Sequence, residues 1–227
     1  MEFTLLFAAA IGVGVGALAL RWEAARGNAA DCAADLWDVL IAGLVVGLFV
    51  GRLAAMIGAG LNPLTSLGDI LIIRGGVATG PATVAGLATV AILARGEIIA
   101  VADALAVAGL ATLGGWHLGC LARESCLGTT TDIPWAMTEA GSTVGRHPVE
   151  LYAAALFLLA AAGLALYRKR RLAPGLAAAI SLFVAGAGRL LTEPYRLSLS
   201  GGPVWWYGLA IVAGLAGVIV AKRQATS

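Results

Sequence analysis

The sequence has few charged residues and almost no net charge. Asp, Glu, Lys and Arg make up 12% of the 227 residues, hydrophobic residues make up 60%, and the net charge is +2. An average soluble domain is about a quarter charged, so this chain has too little charge to cover a globule with hydrated surface. The small net charge also argues against a nucleic acid or another polyanion as the partner.

Residues that bind metals are scarce as well. The chain has two histidines and three cysteines, and none of them has the spacing that zinc or iron sites require. We therefore predict that the protein binds no metal and uses no cofactor.

Long apolar runs are abundant. A helix needs roughly 20 residues to cross about 30 Å of hydrocarbon. Seven runs are close to this length: 3–20, 39–61, 70–94, 99–118, 151–167, 174–192 and 203–221. They predict an all-α polytopic integral membrane protein with about seven transmembrane helices, forming a single membrane domain over residues 1–227. The 31 glycines indicate close helix packing, because small residues let membrane helices approach each other.

Charges in the loops predict the orientation. Most Lys and Arg residues outside the apolar runs fall in alternate loops, including the basic turn at 168–171 and the C-terminal tail. Cytoplasmic loops are enriched in Lys and Arg, so we expect the C-terminus in the cytoplasm and the N-terminus and segment 119–150 outside. The acidic Glu2 favours a retained first span over a cleaved signal peptide.

Three arginines, Arg52, Arg74 and Arg189, lie within the apolar runs. One arginine near the bilayer centre costs about 3 kcal/mol on insertion scales. Each by itself is compatible with a snorkelling or ion-paired structural residue, and Glu193 is placed to pair with Arg189. Three together favour an internal polar cavity, where guanidinium groups suit a buried phosphate.

Two further features accompany these arginines. Gly75 and Gly76 follow Arg74 and let the backbone approach a ligand, although glycines in a glycine-rich chain also suit helix packing. Arg196 shares one helical face with Arg189 and Glu193 if the helix continues past the intervening proline.

Both histidines flank segment 119–150, which is the longest stretch without a hydrophobic run. His117 and His147 suit acid–base chemistry there, or simple hydrogen bonds to the backbone. Cys120 and Cys126 lie on the predicted outer side, where disulfides persist. Three interpretations stay open for Cys120: a disulfide, a thiol paired with His117, and a small apolar residue.

Four short motifs follow one another along the chain. They are GRL at 51–53, GTTTDIPWA at 128–136, RHPVELY at 146–152 and RLLTEPYR at 189–196. In this order they resemble G-x-R-L-G, G-R-P-T-D-L-P-W-A, R-H-P-x-Q-L-Y and R-F-x-x-E-x-x-R of the bacterial prolipoprotein diacylglyceryl transferases.

The resemblance implies an enzyme of the bacterial cytoplasmic (inner) membrane that uses phosphatidylglycerol. Such an enzyme moves the diacylglyceryl group to the lipobox cysteine of a preprolipoprotein and releases glycerol phosphate. The matching arginines would hold the phosphate as it becomes the leaving group. By the same resemblance, His147 and Tyr152 organise the outer segment.

The sequence departs from the family at two places. The family has His-Gly-Gly where this chain has Arg74-Gly75-Gly76. It has G-R-I-G-N-F-I-N-G-E where residues 116–125 are WHLGCLARES, so His117 stands in place of an arginine and Cys120 in place of an asparagine. Arg and His are thus exchanged between positions 74 and 117. The exchange is a compensated swap if both side chains reach one cavity, and otherwise drift after a change of substrate.

We therefore expect a phosphatidylglycerol-dependent diacylglyceryl transferase that acts on preprolipoprotein signal peptides. The predicted catalytic residues are His117, Arg74, Arg189 and His147. The predicted substrate-binding residues are Arg52, Gly75, Gly76, Glu193, Arg196, Cys120, Arg146 and Tyr152. Two alternatives stay open: a transferase with the same donor and a different acceptor, and a non-catalytic phospholipid-binding protein.

Overall fold

The computed structural model describes residues 2–28, 32–65, 68, 76–123, 126–168, 172–197 and 204–226. These residues form seven α-helices: α1 (Glu2–Ala25), α2 (Leu36–Gly58), α3 (Thr79–Leu93), α4 (Ile98–Leu118), α5 (Val149–Tyr167), α6 (Leu176–Thr192) and α7 (Val204–Gln224). Six of them are long and apolar enough to cross a membrane. The predicted all-α polytopic class is therefore confirmed.

Helix α3 is the short one. It has 15 residues, which at about 1.5 Å per residue corresponds to roughly 22 Å. The apolar run predicted at 70–94 begins in residues that lie outside the described part of the chain. Within the described part, the helix begins at Thr79, after an extended Ala78.

The chain divides into two compact units. The small unit comprises residues 31–101, and the large unit comprises residues 3–30 and 102–227. The prediction of one membrane domain over the whole chain remains a prediction.

In the small unit, α2 and α3 pack through small residues. Gly43, Gly47 and Gly51 lie on one side of α2, and a side chain on Gly47 would come within 2.8 Å of the Ala82 carbonyl oxygen. A side chain on Gly86 of α3 would come within 3.0 Å of the Gly43 carbonyl oxygen. The backbones are therefore in contact, which is the role that the sequence predicts for its glycines.

The core of the large unit lies among α4, α5 and α6. Leu110, Phe157 and Ala165 are at most 1% exposed and belong to one apolar cluster. Helix α7 packs directly on α6, because Gly214 leaves no room for a side chain beside the backbone of Phe183.

A polar cluster around Arg168 fixes one part of the large unit. The Arg168 guanidinium donates to the carbonyl oxygens of Asp103 at 2.5 Å and Asn28 at 2.8 Å. It also lies 3.5 Å from the carboxylate of Glu23, which is fully buried. The Asp103 carboxylate accepts from the amides of Gly175 and Ala178, at 2.6 and 2.8 Å, and so caps the start of α6.

Segment 119–150 is ordered by short elements. A 3₁₀ turn covers Gly119–Arg123, and β1 (Met137–Thr138) pairs antiparallel with β2 (Gly145–Arg146). Its backbone is also joined to the turn that follows α6, because the amide of Thr129 donates to the Tyr195 carbonyl at 2.8 Å.

Helix α6 does not continue through the motif at 189–196. It ends at Thr192, and Glu193–Tyr195 form a 3₁₀ turn. Pro194 explains the change, since proline lacks an amide hydrogen and its ring clashes with the preceding turn. The continuous helical face that the spacing suggests therefore ends at Thr192, and within the described residues Arg189 and Glu193 form no ion pair.

Candidate active site

His117 lies in the last turn of α4, within the core of the large unit. It is 2% exposed, and its ring stacks on Phe157 with ring centroids 5.5 Å apart. Both ring nitrogens have partners. Nδ1 lies 2.5 Å from Oε2 of Glu150, and Nε2 lies 3.2 Å from Nη1 of Arg189.

Glu150 joins His117 to a second arginine. It lies in the first turn of α5 and is 7% exposed. Its Oε1 forms a close ion pair with Nη2 of Arg196, while its Oε2 faces the imidazole. The burial of this carboxylate is offset by two donors, as buried charges require.

Arg189 completes the chain of contacts. It lies in the last turn of α6, and its Nη2 donates to the hydroxyl of Tyr207 on α7 at 3.1 Å. A continuous network thus runs from Arg196 through Glu150, His117 and Arg189 to Tyr207. With a neutral imidazole it carries two positive charges and one negative charge, so the excess charge favours an anion.

A cavity of about 380 Å³ opens onto this network. Most of its wall is apolar, and His117, Arg189 and Tyr207 supply polar groups. The lining residues are Leu113, Trp116, His117, Ala185, Gly186, Arg189, Tyr207 and Ala210. An apolar wall with a cation and an imidazole suits an amphiphile that carries an acidic headgroup.

Two other predicted residues, His147 and Tyr152, belong to a separate cluster in the same unit. The Tyr152 hydroxyl lies 3.4 Å from Nδ1 of His147 and accepts from Nε1 of Trp135 at 2.9 Å. The His147 ring lies 4.9 Å from that of Tyr195. Arg146 donates to the Gly128 carbonyl at 3.3 Å. These contacts join the segment to the start of α5 and to the turn after α6, and none of these residues is among the described ones that line the cavity.

Cys120 forms a disulfide with Cys126, directly after His117. Both residues are buried, at 0% and 3% exposure. Of the three interpretations open from the sequence, the structure therefore contains the disulfide. Neither sulfur is a thiol in this state, so Cys120 has no nucleophile to offer.

The residues predicted in the first half of the chain belong to the small unit or lie outside the described part. Arg52 is 6% exposed within the small unit and donates to the Gly76 carbonyl at 2.9 Å. Arg74 and Gly75 lie outside the described residues, so the exchange of Arg and His between positions 74 and 117 stays a prediction.

Sequence reasoning missed Glu150 and Tyr207. A signal for Glu150 was present, because the motif R-H-P-x-Q-L-Y has glutamine where RHPVELY has this glutamate. The changes at positions 117 and 150 are linked in the structure by the bond between the two side chains. Tyr207 had no signal in the sequence, since it lies within an apolar run beside two tryptophans.

The family model described as prolipoprotein diacylglyceryl transferase matches residues 2–202. No curated protein sequence matches significantly.

Proposed function

This chain belongs to the prolipoprotein diacylglyceryl transferase family, and on that premise we propose that it moves a diacylglyceryl group from phosphatidylglycerol to the lipobox cysteine of a preprolipoprotein. The observation that carries the proposal is the pair formed by Arg189 and His117 at the wall of a largely apolar cavity. The pair places a cation for a phosphate beside a group that accepts a proton.

Arg189 is the phosphate-binding residue in this proposal. Its guanidinium is permanently charged and has a planar fork of donors that matches phosphate oxygens. Its present partners, an imidazole nitrogen and a phenol, are neutral or weak acceptors. A phosphate is a stronger acceptor, and the excess positive charge of the network favours it.

His117 is the base. The cysteine thiol gives its proton to Nε2, and the resulting thiolate attacks the glycerol carbon that carries the phosphodiester oxygen. A carbon–sulfur bond forms, the carbon–oxygen bond breaks, and the electron pair leaves with the oxygen of glycerol phosphate. The phosphate thereby gains one negative charge, which Arg189 stabilises as it develops.

Membrane placement follows the distribution of loop charges. The protein resides in the bacterial cytoplasmic membrane with its N-terminus outside and its C-terminus in the cytoplasm. Segment 119–150, which ends at Glu150, then faces the side on which preprolipoproteins emerge.

The test is a reconstitution with radiolabelled phosphatidylglycerol and a lipobox peptide. Wild type and Arg189→Ala are compared, and both peptide lipidation and glycerol phosphate release are followed. Loss of one preorganised donor to a developing oxyanion lowers rates by about 10²–10³-fold, so we expect a loss of at least that size. Arg95→Ala, at an exposed arginine of the small unit, is the matched control and retains activity.

A second candidate is a transferase with the same donor and a different acceptor. It is favoured by the pair of His117 and Glu150, which stands where the family motifs have arginine and glutamine. Turnover of phosphatidylglycerol without any peptide supports this candidate. Bound lipid without turnover supports a phospholipid-binding protein, and lipobox-dependent turnover supports the first proposal.

A further inference from the structure

Hydrogen-bond chemistry fixes the tautomer of His117. Arginine has donors and no acceptor, so Nε2 of His117 has to accept the hydrogen bond from Nη1 of Arg189. An imidazole that accepts at Nε2 carries its proton at Nδ1. That proton points to Oε2 of Glu150 at 2.5 Å, so the carboxylate accepts from the imidazole.

Glu150 is suited to this task because both of its oxygens are engaged by donors. Oε1 accepts from Arg196 and Oε2 accepts from His117. Only a carboxylate can accept at both ends, since an amide has one oxygen and one donating nitrogen. The carboxylate also stabilises the positive charge that the imidazole acquires when Nε2 takes a proton, as in other carboxylate–histidine pairs.

The lone pair of Nε2 is nevertheless covered in this structure. Arg189 occupies it, and a base whose lone pair is already bonded cannot take a proton from an acceptor. A guanidinium binds a phosphate through two parallel hydrogen bonds to an anion, whereas the imidazole and the phenol each offer one neutral acceptor. A phosphate in the cavity therefore competes well for a guanidinium that is held by an imidazole at 3.2 Å and a phenol at 3.1 Å.

We propose that Glu150 and His117 form a carboxylate–imidazole base whose lone pair is covered by Arg189 until the phosphate of an anionic lipid draws the guanidinium away. Glu150 is a positioning residue, and His117 is the catalytic residue. The inference rests on the proposed function and adds to it the order in which the two substrates act. The donor lipid binds first and uncovers the base, so the acceptor loses its proton only when a diacylglyceryl group is ready to be transferred.

The presence of only two histidines makes the tautomer directly measurable. The full-length protein is labelled with ¹⁵N-histidine in a nonionic detergent, and ¹H–¹⁵N correlation spectra report which nitrogen of each ring is protonated. His147→Gln assigns the signals. We expect Nδ1 of His117 to be protonated and Nε2 to be an unprotonated, hydrogen-bonded nitrogen.

Phosphatidylglycerol is then added. We expect the Nε2 signal of His117 to shift towards that of an unbonded imidazole nitrogen, while diacylglycerol, which lacks the phosphate, leaves it unchanged. Inorganic phosphate is added in a third experiment. If it also shifts the Nε2 signal of His117, the phosphate group alone is responsible, and if it does not, the shift requires the lipid headgroup. A proton on Nε2 of the lipid-free wild type, or an Nε2 signal that bound phosphatidylglycerol leaves unchanged, overturns the proposal.

Glu150→Gln tests the positioning role. Glutamine leaves either His117 or Arg196 facing an amide donor, so the Nδ1–H form loses its preference. We expect kcat for transfer to fall by about 10³-fold or more, because a loss of that size follows when the carboxylate of a histidine–carboxylate pair becomes an amide. KM for the lipid should change little. Glu139→Gln, at an exposed glutamate of the same unit, is the matched control.

The two sets of measurements separate this inference from the proposed function. Suppose that the spectra show the expected tautomer and the phosphate-dependent shift, but no peptide is lipidated. The proposal of a covered base then stands, and the peptide is refuted as the acceptor. Peptide lipidation by a Glu150→Gln protein at the wild-type rate retains the transferase and refutes the role of Glu150. If the variant does not fold, the wild-type spectra alone decide.

Discussion

Two arginines of the large unit, Arg168 and Arg189, are both surrounded by protein, yet their partners differ. Arg168 is held by two backbone carbonyls and the buried carboxylate of Glu23. Arg189 is held by an imidazole nitrogen and a phenol at the wall of a cavity. The first set combines two backbone carbonyls with a buried negative charge, whereas the second consists of neutral side chains at a cavity wall that a ligand can replace. Partner type therefore distinguishes a structural arginine from a binding one.

The largest effect on stability is expected for Arg168→Gln. It leaves the carboxylate of Glu23, which is 0% exposed, without its cation. Breaking a buried ion pair on one side destabilises by about 3–5 kcal/mol. Denaturant unfolding in detergent measures the loss, with Arg95→Gln as the exposed control.

A double variant sharpens this result. Glu23→Gln with Arg168→Gln removes both charges, and we expect it to recover a large part of the lost stability. Equal losses in the single and double variants would show that the carbonyl contacts of Arg168, and not its charge, hold this cluster together.

Removal of the disulfide is expected to have the next largest effect. Cys120 and Cys126 close a loop six residues apart in sequence, for which the chain-entropy relation gives about 2 kcal/mol. Cys120→Ser with Cys126→Ser should lower the unfolding midpoint and retain transfer activity. Complete loss of transfer in a variant that remains folded would instead point to a thiol in the chemistry.

Removal of the cap on α6 is expected to cause a smaller loss of stability. Asp103→Ala removes the two bonds to the amides of Gly175 and Ala178, and a lost helix cap destabilises by about 1 kcal/mol. Hydrogen exchange should increase at these amides first. Unchanged protection there would show that water replaces the carboxylate without loss.

The smallest expected effect is a change in lipid binding, caused by a substitution in the network around Arg189. Tyr207→Phe removes one hydrogen bond of the guanidinium, worth about 1 kcal/mol, and should lower KM for phosphatidylglycerol about fivefold, because the phosphate no longer has to displace the phenol. Steady-state kinetics in mixed micelles measure it. Tyr167→Phe, at an exposed tyrosine that ends α5, is the control, and equal changes in both variants would contradict a role for Tyr207.

The sequence predicted the helices better than the site. Apolar length alone places runs 99–118 and 151–167 within two residues of α4 and α5, because membrane helices need a continuous apolar stretch. His117 and Arg189, which the sequence predicts as catalytic residues, line one cavity, and their roles stay predictions. The bond from His117 to Glu150 was not predicted, since it joins residues 33 apart and no local spacing encodes it.

Local rules also failed where one residue overrides a pattern. The spacing of Arg189, Glu193 and Arg196 suggests a shared helical face, but the helix ends at Thr192, next to Pro194. Arg196 consequently reaches Glu150 of another helix. A pattern of charges predicts contacts only while the backbone that carries it stays regular.

Gly128 shows how the absence of a side chain can constrain variation. A methyl group at this position would lie 1.9 Å from the carbonyl oxygen of Tyr195, directly before Arg196. Every substitution there pushes on the turn that carries the partner of Glu150. In a saturation mutagenesis screen for transfer activity, Gly128 should tolerate as few replacements as His117, although it contributes no chemistry at all.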